Sequence, residues 1–364
     1  MREVALIVRD LGSRTAGGAI LRNQALAAAM APALVIETNA VRESVGCVSQ
    51  CRECADAPAD PYPWSRCRRA LAAVRLTLRR RRPAGVLVSE LQLHRYFRAA
   101  LAAGIANVGL DMHNSEADAF TESAAAPDYV EAVRAVERQV SATARLVTFV
   151  SGLDERRATA RYSPRATAVL PNAVRVPRSP GPMRRAAPDL LFLGHLGYPP
   201  NVDAALRLIE EIFPAVRADI GHATLTVAGR RPHPSLRARG CVQADPPATG
   251  PLLDGRVLVV PLRTGGGSRL KILEAFAARV PVISTAKGAE GLAARPGTHY
   301  LEAGDAPGSY ARLVRELLDD PEADFRRREA AYELVRDRYS WESLRAPAQR
   351  AAEMLTGSGE RLHQ

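Results

Sequence analysis

The sequence has 364 residues, 47% hydrophobic and 24% charged, and its 50 Lys and Arg against 39 Asp and Glu leave a net charge of +11. That length exceeds what one hydrophobic core organises and predicts two domains. No apolar run is long enough to span a bilayer, and MREVALIVRD, interrupted by Arg9 and Asp10 and lacking a cleavage site, predicts a first strand in a cytoplasmic protein instead of a signal peptide.

In chain order, Val4–Val8 predicts a strand, and the loop DLGSRTAGG leads from it to a helix over 18–30. The pair Gly17 and Gly18 puts a helix N-terminus beside the end of that strand, where unpaired amides suit an anion. A second strand is predicted at 33–37. Then Cys47, Cys51, Cys54 and Cys67 follow in the spacing C-x3-C-x2-C-x12-C. Thiols this close in a cytoplasmic protein suggest a structural zinc held by four thiolates; an iron–sulfur cluster and reduced or bridged thiols are the alternatives. Residues 66–82, RCRRALAAVRLTLRRRR, contain no acid, with Leu71, Val74 and Leu78 as a core-facing stripe. Such a helix is either a solvated face or a surface for an anionic membrane or acidic carrier, which would make the protein peripheral to the membrane.

Strands are predicted at 86–90 and 108–113, the latter ending in His113 and the run HNSE. In a doubly wound sheet a histidine at a strand's C-terminal end faces the ligand crevice. Helices at 126–144 and 152–162 and strands at 146–151 and 168–170 complete the first half. Residues 175–188, RVPRSPGPMRRAAP, read as a linker. A strand at 190–193 opens the second half; Asn201 is placed to cap a helix running to about 220, and a strand at 223–228 follows.

The chain is organised around 256–292, RVLVVPLRTGGGSRLKILEAFAARVPVISTAKGAEGL. An apolar run at 257–262 reads as a strand buried on both faces. Gly265, Gly266 and Gly267 follow, then helix formers at 268–278, then a second apolar run. Arg269 and Lys271 lie in the first turn of that helix, where positive charge opposes the helix dipole unless an anion is bound. Glu274 stands three residues beyond Lys271, on the same face. Lys271 and Lys287 are the two lysines of the whole chain, and a compact ammonium is not interchangeable with a guanidinium at a tight phosphate site. Beyond this segment, a short strand is predicted at 300–301, helices at 310–318 and from 321 to about 355 with a break at 339–341, and disorder over 357–364.

These residues resemble the donor-binding segment of nucleotide-sugar glycosyltransferases of the GT-B fold, retaining family 4. LLFLGHLGYPPNVDA (190–204), LTVAGRRPHPSL (225–236), VLPNAV (169–174), DMHNSE (111–116) and YSWESL (339–344) extend the resemblance over most of the chain. Many members carry two glutamates eight positions apart; here the earlier position is Gly266, so the likeness is to a glycine-triplet branch. The resemblance implies an α/β architecture of two doubly wound, Rossmann-like domains facing a cleft. They are expected as an acceptor-side domain at 1–177 with the Cys-rich insertion, a linker at 178–188, and a nucleotide-sugar domain at 189–340. A helix at 341–356 is expected to cross back to the first domain.

It also implies sugar transfer from a nucleotide-diphosphate donor, preferably a UDP-sugar, to an unidentified acceptor with retention. The loop at Gly17 and Gly18 would border the donor phosphates and acceptor. His113 would lie near the reacting centre of the sugar. Glu274 would accept hydrogen bonds from the ribose. Arg269, Lys271 and the loop of Gly265, Gly266, Gly267 and Ser268 would stabilise the departing diphosphate, with no cofactor required for catalysis. Relatives place an arginine and a lysine after the strand at 190–193; His195 and Asn201 occupy that region here. His195 and Arg230 then border the donor, and Val242 falls where the base is held. Two rival readings remain, a GT-B sugar-nucleotide epimerase and a non-catalytic nucleotide-sugar-binding protein. Nucleic acid is not expected as a partner, because the arginines are not interleaved with aromatics.

Overall fold

The computed structural model describes residues 3–12, 18–30, 33–47, 61–123, 125–178, 180, 182–246, 250–267 and 269–357. By packing, the chain divides into two units, one of Met1–Asn172, Gly266–Ser268 and Trp341–Gln364, the other of Ala173–Gly265 and Arg269–Ser340.

The first unit is built on six parallel strands: β1 (Val4–Val8), β2 (Leu34–Glu37), β3 (Gly85–Ser89), β4 (Val108–Met112), β5 (Leu146–Phe149) and β6 (Thr167–Val169). Their order is β2-β1-β3-β4-β5-β6, with Val4 opposite Gly85 and Val88 opposite Leu110 in register. Every residue of β1, β3, β4 and β5 is buried, which is why these strands are continuous apolar runs and do not alternate. Helices Gly18–Ala29, Arg68–Arg81, His94–Ala102 and Pro127–Thr143 provide the crossovers. Helix Arg68–Arg81 buries Ala70, Val74 and Leu78 and leaves its arginines outside, so the core stripe runs through Ala70, and Leu71 is half-buried. Helix Trp341–Thr356 belongs to this unit and packs on helix Gly18–Ala29 with Leu344, Ala348, Ala351 and Leu355 inward.

The second unit carries β7 (Asp189–His195), β8 (Thr224–Arg230), β9 (Val242–Ala244), β10 (Val257–Val260), β11 (Val282–Ser284) and β12 (Leu301–Glu302), in the order β12-β11-β10-β7-β8-β9 and all parallel. The order in which strands are added reverses between β7 and β10, and the crevice outside the carboxyl ends of strands at such a switch is where doubly wound sheets bind ligands. The amide of Val174 donates to the Tyr339 carbonyl at 2.8 Å, tying the chain's entry into this unit to its exit.

Several local expectations differ from the structure. Asn201 is not a helix cap: helix Pro199–Arg207 starts two residues earlier, with Tyr198 at the N-cap, because Pro199 and Pro200 lack the N–H that a first turn leaves unused. The helix after the glycine loop spans Leu270–Ala277, shorter than 268–278. Thr38–Ser44, Glu116–Glu122, Pro234–Arg237 and Ala286–Ala289 are short helices that carry too few residues to show a period.

Candidate functional site

At the switch point of the second sheet, β7 ends in Gly194 and His195, and β10 leads into the glycine loop. Lys271 is brought to this edge by the first turn of helix Leu270–Ala277. Its ammonium donates to Asn201 Oδ1 at 2.9 Å and lies 4.2 Å from the centre of the Phe192 ring. Asn201 Nδ2 in turn donates to the His195 carbonyl at 3.0 Å, which fixes the amide's orientation and aims its oxygen at the lysine. One of the three N–H donors of Lys271 is thus used by Asn201, and charge is left for a ligand. Burial and the neighbouring Arg269 pull the Lys271 pKa down to about 7 against the opposing pull of Glu274. Burial pushes Glu274 up to about 7, with Lys271 working against it. The helix has no acid in its first turn and Arg269, at the N-cap, makes no side-chain cap, so the helix end has no anionic complement from its own residues.

This crevice depends on glycines. A Cβ on Gly194 would lie 2.9 Å from Asn201 Nδ2 and 3.1 Å from Lys271 Nζ, so any side chain would displace the pair. Gly265 holds φ at +100°, and a Cβ there would meet Pro200 at 2.9 Å.

The other residues singled out from the sequence fall as follows. Arg269 is buried, and its Nη2 donates to the carbonyls of Gly265 at 3.1 Å and Lys287 at 2.9 Å, so its guanidinium pins the loop to the segment after β11. Lys287 pairs with Glu290 at 3.2 Å. His195 keeps much of its surface exposed, opposite half-buried Arg230 in the β7–β8 register; partial desolvation, with Arg231 and Arg230 nearby, lowers its pKa. Val242 pairs with Val227 at the sheet edge and is half-buried. Gly266 and Gly267 cluster with the first unit, and Ser268 and Gly17 lie outside the described residues, while Gly18 opens its helix. Cys47 and Cys67 are buried in the core of the first unit; Cys51 and Cys54 lie outside the described residues. Among the described residues no group of His, Cys, Asp and Glu could hold a metal ion, and no helix is long and apolar enough to cross a membrane.

In the first unit, His113 follows β4 and stands over a buried polar network. Asp111, two residues earlier and on the same face, receives Arg22 Nε at 2.8 Å and Nη2 at 2.5 Å, and the Thr148 hydroxyl at 2.6 Å. Burial opposes the Asp111 charge, but Arg22 and His113 outweigh it and hold the carboxyl well below the usual range. Arg22 also donates to the Leu170 carbonyl at 2.9 Å and to Asn172 at 3.2 Å. His113 Nε2 lies 3.2 Å from Asp111 Oδ2 and 2.8 Å from Ser89 Oγ. Arg22, Asn23 and Ser89 escape sequence reasoning because buried polar groups that meet from distant parts of the chain leave no spacing pattern, and Phe192 because it reads as one more apolar residue of its strand. Asp111 was accessible through its i, i+2 relation to His113.

The fold and sites above define an α/β protein of two parallel-sheet units with a basic, glycine-framed crevice in the second. Residues 187–320, most of the second unit, match the family model described as glycosyl transferases group 1. Sucrose-phosphate synthase from Thermosynechococcus elongatus is similar in structure, with a TM-score of 0.68 at 13% identity, covering 99% of this chain and 100% of that one. Anabaena HepE, in complex with UDP and glucose, gives a TM-score of 0.68 at 13% identity over 98% of this chain and 100% of its own. A glycosyltransferase from Rickettsia africae gives 0.60 at 12% identity over 97% and 99%. The fold is therefore the GT-B fold of these proteins. No curated protein matches the sequence.

Proposed function

We propose that this protein transfers a sugar from a nucleotide-diphosphate donor, a UDP-sugar, to an acceptor, with retention at the anomeric carbon. The observation that carries the reading is the Lys271 ammonium held by Asn201 over Phe192 at the switch point of a glycosyl transferases group 1 domain, with Glu274 on the same helix. A positive group beside uncapped helix amides suits a diphosphate in the ground state and more so as its charge grows on departure. Glu274 accepts from the ribose hydroxyls. The complex of HepE with UDP and glucose supports the choice of base and sugar class.

Thermal shift with a panel of nucleoside diphosphates, followed by mass spectrometry of products from the best donor, tests this. Stabilisation by UDP and release of UDP from a UDP-sugar are the expected results; no stabilisation by any nucleotide would overturn them. One observation favours a second reading, a non-catalytic nucleotide-sugar-binding protein: Arg269 is occupied by the carbonyls of Gly265 and Lys287. UDP-sugar binding with neither transfer nor slow hydrolysis would favour it. An isomerised donor formed without acceptor would instead identify an epimerase.

A further inference from the structure

Helix Arg68–Arg81 lies wholly within the first unit, and its charge stands apart from the rest of the surface. Residues 66–82 hold eight arginines and no acid, against a net charge of +11 for all 364 residues. Elsewhere exposed arginines stand beside carboxylates: Arg161 with Asp118, Arg239 with Glu210, Arg263 with Asp203 and Arg315 with Asp219. Here Arg81 reaches Glu3 at 3.3 Å, while Arg69, Arg75, Arg80 and Arg82 have no carboxylate partner among the described residues. Helix stability does not call for this charge. The first turn has no acid to set Arg68 and Arg69 against the helix dipole, and Arg75 and Arg79 repel each other at i, i+4.

An apolar side chain stands in the middle of the basic face. Val74 and Leu78 are buried in the core, and Leu76, two residues from each, points the opposite way with 49% of its surface exposed. Ala72, Arg79 and Arg80 are its helical neighbours at i−4, i+3 and i+4. Among the described residues one other large apolar side chain, Met354, is exposed. At its C-terminal end the face runs into a groove of about 540 Å³ between the helix and the turn at 103–106. Leu78, Pro83 and Ile105 line this groove together with Arg79 and Arg82, and Arg79 Nη2 donates to the Ala102 carbonyl at 3.2 Å.

We infer that this helix face is a docking surface for an anionic phospholipid bilayer, with the arginines on the headgroup phosphates and Leu76 seated at the edge of the acyl chains. The charge is complementary to such a surface, each arginine near it adds about fivefold in affinity, and the attraction fades beyond a Debye length. An apolar side chain at the centre of the arginines and an apolar groove at their end match an amphipathic partner. Nucleic acid is a poorer one, because no aromatic side chain stands among these arginines for a base to stack on. The surface belongs to the first unit and does not depend on the nucleotide-sugar reading of the second.

Flotation of the full-length protein with lipid vesicles tests this. It should bind vesicles of phosphatidylcholine and phosphatidylglycerol in equal parts, leave vesicles of phosphatidylcholine alone unbound, and be released by high salt. Arg75→Gln combined with Arg80→Gln should weaken binding at least about tenfold. Leu76→Gln should weaken it several-fold. Both should melt as the wild type does, since neither change removes a buried side chain or a carboxylate partner. Arg312→Gln combined with Arg350→Gln removes the same net charge from exposed positions outside this face and should leave binding unchanged. Equal losses in the two arginine pairs would assign binding to net charge alone and overturn the inference. Equal binding to the two kinds of vesicle, or none to the anionic one, would overturn it as well. Binding to soluble polyglutamate without binding to either vesicle would identify an acidic protein partner in place of the bilayer.

Discussion

The role proposed for Lys271 rests on its surroundings more than on its charge, since the chain has many arginines. It is fixed at one end by Asn201 and lies against an aromatic face, and burial leaves its pKa at about 7. Lys271→Ala should lower turnover at least about tenfold with the fold intact, since losing one charged donor at a developing charge costs a few kcal/mol. Lys271→Arg should also be poor, because a planar fork does not fit between Asn201 and Phe192. The pH dependence has a definite sign. Raising pH through about 7 discharges the lysine in the free protein, and a bound diphosphate restores the charge. Nucleotide affinity should therefore fall as pH rises above that value, with proton uptake on binding; below it the lysine is charged in both states and uptake vanishes. Calorimetry in buffers of different ionisation enthalpy reads this directly, and absence of uptake would remove Lys271 from the site. Glu274→Gln should abolish discrimination between ribose and deoxyribose nucleotides; unchanged discrimination would refute its contact with ribose. Lys271 and Glu274 were legible because a rare lysine in a glycine-loop helix is visible in one dimension. Asn201 was visible as a helix cap and as a residue of the region that follows the strand at 190–193, but its contacts with His195 and Lys271 were not, since these partners come from other elements.

At the scale of elements, the inner strands of both sheets were legible because parallel strands buried on both faces appear as short, unbroken apolar runs, whereas β9, a half-exposed edge strand of three residues, was not anticipated as a strand. Their helices showed wherever they were long enough to carry a period. Short helices such as Thr38–Ser44 were not, and tertiary packing decides them. Equally hidden was the pairing of Arg22, inside helix Gly18–Ala29, with Asp111 on β4. Asp111→Asn should destabilise the first unit by about 3–5 kcal/mol, because it leaves the buried guanidinium of Arg22 without a counter-charge. The contribution is present above the unfolded carboxyl pKa of about 4 and is lost as pH falls, so the variant's stability should vary less with pH across the acid range. Chemical denaturation at several pH values measures this; a loss below about 1 kcal/mol would contradict the pairing. Gly194→Ala makes a complementary prediction. Its Cβ would displace Asn201 and Lys271, so nucleotide affinity should fall further than stability.

For the whole molecule, length and the alternation of strands and helices already predicted two doubly wound halves, and the motifs from 111 to 344 resemble one family in order. The cysteine spacing is a separate matter, because Cys51 and Cys54 lie outside the described residues. Elemental analysis resolves it: about one zinc per chain supports a knuckle, and metal-free protein with activity unaffected by chelators rejects it. The central claim is that a nucleotide-sugar is bound and activated through Lys271. Its most direct test is the rate of UDP release from a UDP-sugar, followed by mass spectrometry for the wild type and Lys271→Ala side by side. UDP should appear with the wild type, at least about tenfold more slowly with the variant, and both proteins should melt alike without ligand. Equal rates in the two, or no UDP from any UDP-sugar offered, would contradict the account.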